Sequence, residues 1–88
     1  MENQPANPEL VQQLEAYIAS EVLKQPARRV DPRAPLISSG LVDSFNLVGL
    51  ALYVEDEFGV HIDDTELTAS TFDTLEQLAD LIRQRRPR

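Results

Sequence analysis

Apolar residues recur at helical spacing in three stretches of this chain. Leu10, Leu14, Tyr17, Ile18 and Val22 stand three or four apart with Gln and Glu between them, the pattern of a helix with one buried stripe. Asn7-Pro8-Glu9 reads as its start, with Asn7 as N-cap and Pro8 at the first helical position, and the spacing predicts a helix to about Lys24. Pro26, Pro32 and Pro35 forbid a helix across residues 25–40. Ordered loops of that length in small domains usually serve a function. The apolar Leu36, Ile37 and Leu41 within it are expected to fold back as a lid over the core.

Gly40 and Asp43 precede the second helical run, in which Leu47, Leu50, Ala51, Val54 and Phe58 share one face. Phe45, Val48 and Leu52 form a further apolar stripe. A helix apolar on two sides is either central or offers one side to a partner, and both readings stay open here. Gly59 ends the run as a C-terminal glycine should. Val60-His61-Ile62 reads as a short extended link. Asp63 and Glu66 match a capping box, which predicts a brief third helix over about residues 64–68. Ala69 to Phe72 connect, and Asp73 or Thr74 caps a last helix with Leu75, Leu78, Ala79 and Ile82 inward. Arg83, Arg85 and Arg86 suit its negative end. The pattern predicts an all-α small bundle of three main helices and one short one, joined by a long first loop. Residues 1–7 are expected to be a frayed tail, and residues 8–86 one domain.

Composition narrows the chemistry. The chain has 88 residues, no cysteine and a net charge of −7. Thiolate metal sites, disulfides and Cys nucleophiles are excluded. No apolar run approaches the roughly eighteen residues of a membrane span, and the polar Met1-Glu2-Asn3-Gln4-Pro5 lacks the pattern of a secretory leader. A soluble, monomeric, cytoplasmic protein is expected. Residues 34–82 hold ten Asp or Glu and no Lys or Arg. That block repels phosphate backbones, which argues against nucleic-acid binding, and it attracts basic protein surfaces; the same charge also serves solubility.

Little here supports catalysis. His61 is the lone histidine and sits in a short link with nothing to orient it. Glu55, Asp56 and Glu57 are consecutive, so they point to different helix faces and make a poor acid–base pair. No Gly-rich phosphate loop and no His/Cys metal spacing occurs. The distinctive element is Gly40-Leu41-Val42-Asp43-Ser44-Phe45, which sets a serine at the start of the most apolar helix, after the long loop. The first amides of a helix are unpaired and its dipole is positive there, so a phosphate ester on Ser44 would be favoured. Asp43-Ser44 also reads as an ordinary cap pair.

Asp43-Ser44-Phe45, followed by an apolar helix ending Glu55-Asp56-Glu57-Phe58-Gly59-Val60-His61-Ile62, resembles the acyl carrier protein family, as do Asp63-Asp64-Thr65-Glu66-Leu67 and Phe72-Asp73-Thr74-Leu75. The resemblance spans about residues 9–83. It implies a four-helix fold, no enzymatic activity of its own, and a serine, here Ser44 with Asp43 in support, that receives 4′-phosphopantetheine from coenzyme A through a separate phosphopantetheinyl transferase. The arm's thiol then carries an acyl or aminoacyl group as a thioester and presents it to partner enzymes. Where many fatty-acid carriers are acidic just beyond the serine, this chain has Asn46 and Gly49. Gly40-Leu41-Val42-Asp43-Ser44 looks more like free-standing carriers such as D-alanyl carrier proteins.

These departures favour a dedicated pathway with its own loading ligase or synthase, with Phe45, Val48 and Leu52 doing more of the docking and Glu55 and Asp56 supplying the remaining charge. Acyl cargo is the leading expectation. Aminoacyl cargo of the D-alanyl or peptidyl type, and an unmodified acidic helical adaptor, are the alternatives. Leu47, Leu50, Ala51, Leu67 and Leu78 are candidates to part around an acyl chain, or simply to make the core.

Overall fold

The computed structural model describes residues 7–86. Helix α1 covers Asn7–Tyr17, so Asn7 lies inside the helix and not ahead of it as the expected cap. Pro8 is tolerated because the first turn has no use for its missing N–H. Residues 1–6 of the expected tail lie outside the described residues.

The expected extension to Lys24 is present in altered form. Ile18–Val22 continue α1 as a π-helical turn, with the Leu23 amide donating to the Ile18 carbonyl at 2.9 Å. The Ser20 hydroxyl donates to the Ala16 carbonyl at 2.8 Å, the acceptor an α-helical ladder reserves for the Ser20 amide. Over this wider turn both Ile18 and Ala19 are buried. Helix α2 spans Ser44–Phe58 and ends on Gly59, whose φ of 70° needs no Cβ to be avoided. Helix α3 spans Leu75–Arg85, with Thr74 as its cap.

The expected short helix is a single 3-10 turn, Asp64–Glu66. Its capping box is formed: Asp63 accepts from the Thr65 amide, and Glu66 accepts from the Asp63 amide, each at 3.0 Å. It stops at Leu67, where ψ of 61° leaves the helical region.

The three long helices enclose one apolar core. Leu10 and Leu14 enter it from α1 and Ile18 from the π-helical turn, Leu47, Leu50 and Val54 from α2, and Leu75, Leu78 and Ile82 from α3. Helices α1 and α3 share the most extensive contact among the long helices. The lid expected of the long loop exists: Leu36 is fully buried, and Ile37 and Leu41 pack against the core. Val30 and Val42 are buried with it, so both ends of the loop are anchored and Ser44 stands two residues after the buried Val42. Arg83 and Arg85 occupy the last turn of α3, as its dipole favours.

Candidate functional site

Asp43 closes the start of α2. Its backbone is extended, its carboxylate accepts from the Asn46 amide at 2.8 Å, and its carbonyl accepts from the Leu47 amide at 2.9 Å. Ser44 is therefore the first helical residue, and its side chain is exposed. The amides of Ser44 and Phe45 take no acceptor among the described residues. Two unpaired donors and the positive end of a fifteen-residue helix thus surround a reachable hydroxyl.

The further apolar stripe of α2 is on the surface. Phe45 is 85% exposed, Val48 49% and Leu52 62%, so the core-packing alternative fails for all three. Glu55 and Asp56 are exposed at the far end of the same helix. Beside Leu52 a groove lined by Tyr17, Gly49, Tyr53, Glu55 and Asp56 runs between α1 and α2. Tyr17 and Tyr53 stack with ring centroids 4.3 Å apart. Gly49 makes room for that stack: a Cβ there would stand 3.2 Å from the Tyr17 hydroxyl. Burial raises both tyrosine pKa values, with Glu21 adding to the effect at Tyr17 and Glu57 at Tyr53. His61 is exposed with Nδ1 3.5 Å from Glu55, a surface contact, as expected of a link residue. Of the five residues proposed for the acyl-chain shelter, Leu47, Leu50 and Leu78 are buried core and Ala51 and Leu67 half-buried.

Two carboxylates that sequence reasoning passed over hold the long loop. Glu15 on α1 accepts from the Val30 amide at 2.6 Å and from Arg29 Nε at 3.1 Å. Asp73, read as a possible helix cap, does something else: Oδ1 accepts from the amides of Leu36, Ile37 and Ser38 at 3.2, 2.7 and 3.0 Å, and Oδ2 accepts from the Ser38 hydroxyl at 2.5 Å. The Ser38 hydroxyl, then the Ser38, Ile37 and Leu36 amides, hold the Asp73 carboxyl below its usual range. Capping of α3 falls to Thr74, which accepts from the Gln77 amide at 3.1 Å, while Gln77 accepts from the Asp73 amide at 2.7 Å. Farther off, Arg85 grips Glu66 through two bonds of 2.9 and 2.6 Å. That grip is the main cause of a Glu66 pKa lowered to about 2.

The family model described as the phosphopantetheine attachment site matches residues 12–82, nearly the whole described fold. This chain belongs to the phosphopantetheine-binding carrier proteins. The carrier is similar to the D-alanyl carrier protein of Bacillus pumilus (strain SAFR-032), at 31% identity over 68 residues, 73% of this chain and 87% of that protein. It also shares the fold of the acyl carrier protein of Thermotoga maritima, with a TM-score of 0.71 and 24% identity over 96% of this chain and 94% of that one. A protein of this family is a carrier and not an enzyme, and its cofactor is covalent 4′-phosphopantetheine. The residues around Ser44 fit that group, since a phosphodiester asks for an accessible hydroxyl, unpaired amides and a positive helix end. No helix among the described residues is long and apolar enough to cross a membrane.

Proposed function

We propose that Ser44 is the attachment residue, with Asp43 fixing the helix start beside it, and that the carrier presents a carboxylic cargo to the enzymes of a dedicated pathway. The observation that carries this reading is the exposed Ser44 hydroxyl as first residue of α2, next to two amides without acceptors among the described residues. When bound, the arm supplies the thiol that this cysteine-free chain lacks and holds the cargo as a thioester. The chain's own residues orient the hydroxyl, keep the helix end positive and offer partners a surface. That surface is the stripe Phe45, Val48 and Leu52, with Glu55 and Asp56 at its end. Its exposed apolar area is what a hot-spot contact needs, and the carboxylates favour a basic partner.

Of the cargo classes left open by the sequence, the aminoacyl one draws support from the likeness to a D-alanyl carrier protein. The likeness to an acyl carrier protein, at 24% identity, speaks for the fold alone. Partners on this reading are a phosphopantetheinyl transferase and a loading ligase. Incubation with coenzyme A and a broad-specificity transferase, followed by intact-mass measurement, tests the attachment. The wild type gains one phosphopantetheinyl group and Ser44→Ala gains none. No gain on the wild type, or an equal gain on the variant, overturns the assignment and leaves the unmodified adaptor in its place. Loading assays with D-alanine and with fatty acids as competing substrates then separate the two cargo classes.

A further inference from the structure

A carboxylate that accepts four hydrogen bonds from three successive residues of a loop 35 to 37 positions away does more than cap the helix it precedes. The bonds continue toward the serine. The Leu36 amide is shared between the Asp73 side chain and the Asp73 carbonyl, the latter at 2.6 Å. The Leu36 carbonyl in turn accepts from the Val42 amide at 3.0 Å, and the Ile37 carbonyl from the Gly40 amide at 3.0 Å. Val42 is buried and adjoins Asp43, the cap of α2. A continuous path therefore runs from the start of α3 through Leu36 and Val42 to the start of α2. Gly40, with φ of 81°, supplies the reversal the path requires.

We propose that Asp73 is a positioning residue for Ser44: its carboxylate fixes residues 36–38, and through the Val42–Leu36 bond it sets where the helix start stands relative to α3. This rests on the reading of Ser44 as the attachment residue. Physically, the segment 36–43 has no helix or sheet ladder of its own. The Asp73 carboxylate satisfies the Ile37 and Ser38 amides and shares the Leu36 amide with its own backbone carbonyl, while Gly40, Leu41 and Val42 donate within the loop. Without that carboxylate the segment samples other arrangements, and a partner that recognises only one of them binds with an affinity reduced by the fraction populated.

The test uses the full chain with Asp73→Ala, Asp73→Asn and, as a control that removes a tethered carboxylate bonded outside the loop, Glu66→Gln. Transfer of the arm from coenzyme A is followed at varied carrier concentration, and amide hydrogen exchange is measured on the unmodified proteins. Asp73→Ala is expected to speed exchange at Ile37, Ser38 and Val42 by roughly tenfold while the α3 amides keep their protection. It raises KM for the carrier about fivefold with kcat changed less than about twofold. Asp73→Asn falls between, because the amide oxygen still accepts from the loop. Glu66→Gln leaves KM unchanged. An unaltered KM in Asp73→Ala, or an equal rise in Glu66→Gln, overturns the proposal. Should the wild type accept no arm, the Ser44 reading fails instead, and unchanged exchange at Val42 in Asp73→Ala sinks the positioning role independently.

Discussion

Lys24 is the one non-glycine residue with positive φ (58°) among the described residues. It ends the first helical run: the Gln25 amide donates back across it to the Ala19 carbonyl at 2.7 Å, the six-to-one bond of a helix stop that glycine ordinarily serves. A Cβ in this conformation costs about 1–2 kcal/mol, and glycine returns part of that gain as unfolded-state entropy. Lys24 is exposed, so little packing is lost with its side chain. Lys24→Gly is accordingly expected to raise stability by about 0.5–1 kcal/mol and Tm by roughly 2–8 °C; a lower Tm in thermal unfolding contradicts the account. The same scale shows why some site residues were legible and others not. Asp43 caps its own helix through the Asn46 amide and Ser44 is the first residue of that helix, so local spacing suffices to place both. The Asp73 carboxylate acts on amides 35 to 37 residues away, and nothing local distinguishes it from a helix cap. The structure gives that task to Thr74 next door.

Helix α2 is apolar on two faces, and only the fold says which face is covered. Leu47, Leu50, Val54 and Phe58 are buried, while Phe45, Val48 and Leu52 meet solvent. The consequence is separable in experiment. Phe45→Ala and Leu52→Ala are expected to change stability by less than about 0.5 kcal/mol, since surface truncations remove little burial, whereas Leu50→Ala costs about 2–5 kcal/mol. If the stripe is the docking face, the same two surface variants lower kcat/KM of the loading reaction about tenfold, a loss of roughly 1.4 kcal/mol in partner recognition. Unchanged loading with unchanged Tm removes the stripe from the partner surface. Element by element, helical periodicity carries the positions of the long helices, and prolines carry the long loop. Periodicity does not carry the π-helical turn over Ile18–Val22, because its cause is one hydroxyl competing for one carbonyl. Nor does it limit the third element to Asp64–Glu66, which depends on the backbone at Leu67. Tyr17 packs against the core as a half-buried residue and also stacks on Tyr53 beside Gly49, where a Cβ would crowd its hydroxyl at 3.2 Å.

Across the whole molecule, charge acts in two ways at neutral pH: net repulsion opposes folding, while a few tethered carboxylates support it and lose that support in acid. The net charge is −7 and the central ten carboxylates have no basic residue among them in sequence, so their mutual repulsion is relieved by salt. A few of them are nevertheless tied down. Glu66 is held by Arg85 and titrates at about 2, against an ordinary 4.5. Asp63, held first by the Thr65 amide, and Asp73, held first by the Ser38 hydroxyl, are lowered as well. Each binds its proton in the unfolded chain at a higher pH than in the folded one. Linkage then makes stability rise with pH, and fall as the solution is acidified, wherever the unfolded state holds more protons. The Glu66 contribution is thus fully present above about pH 4.5 and is lost as pH drops through about 2. Tm of the wild type is expected to rise with added salt at pH 7 and to fall steeply over that acid window. Glu66→Gln, which keeps a side chain of the same length but titrates no proton, should start from a lower Tm at pH 7 and lose less of it between those two pH values. The Arg85–Glu66 bonds join the end of α3 to the 3-10 turn, so the region freed in acid is the Asp63–Leu67 segment. An acid limb equally steep in Glu66→Gln and wild type would assign the loss to other carboxylates, with Asp73 the next to replace.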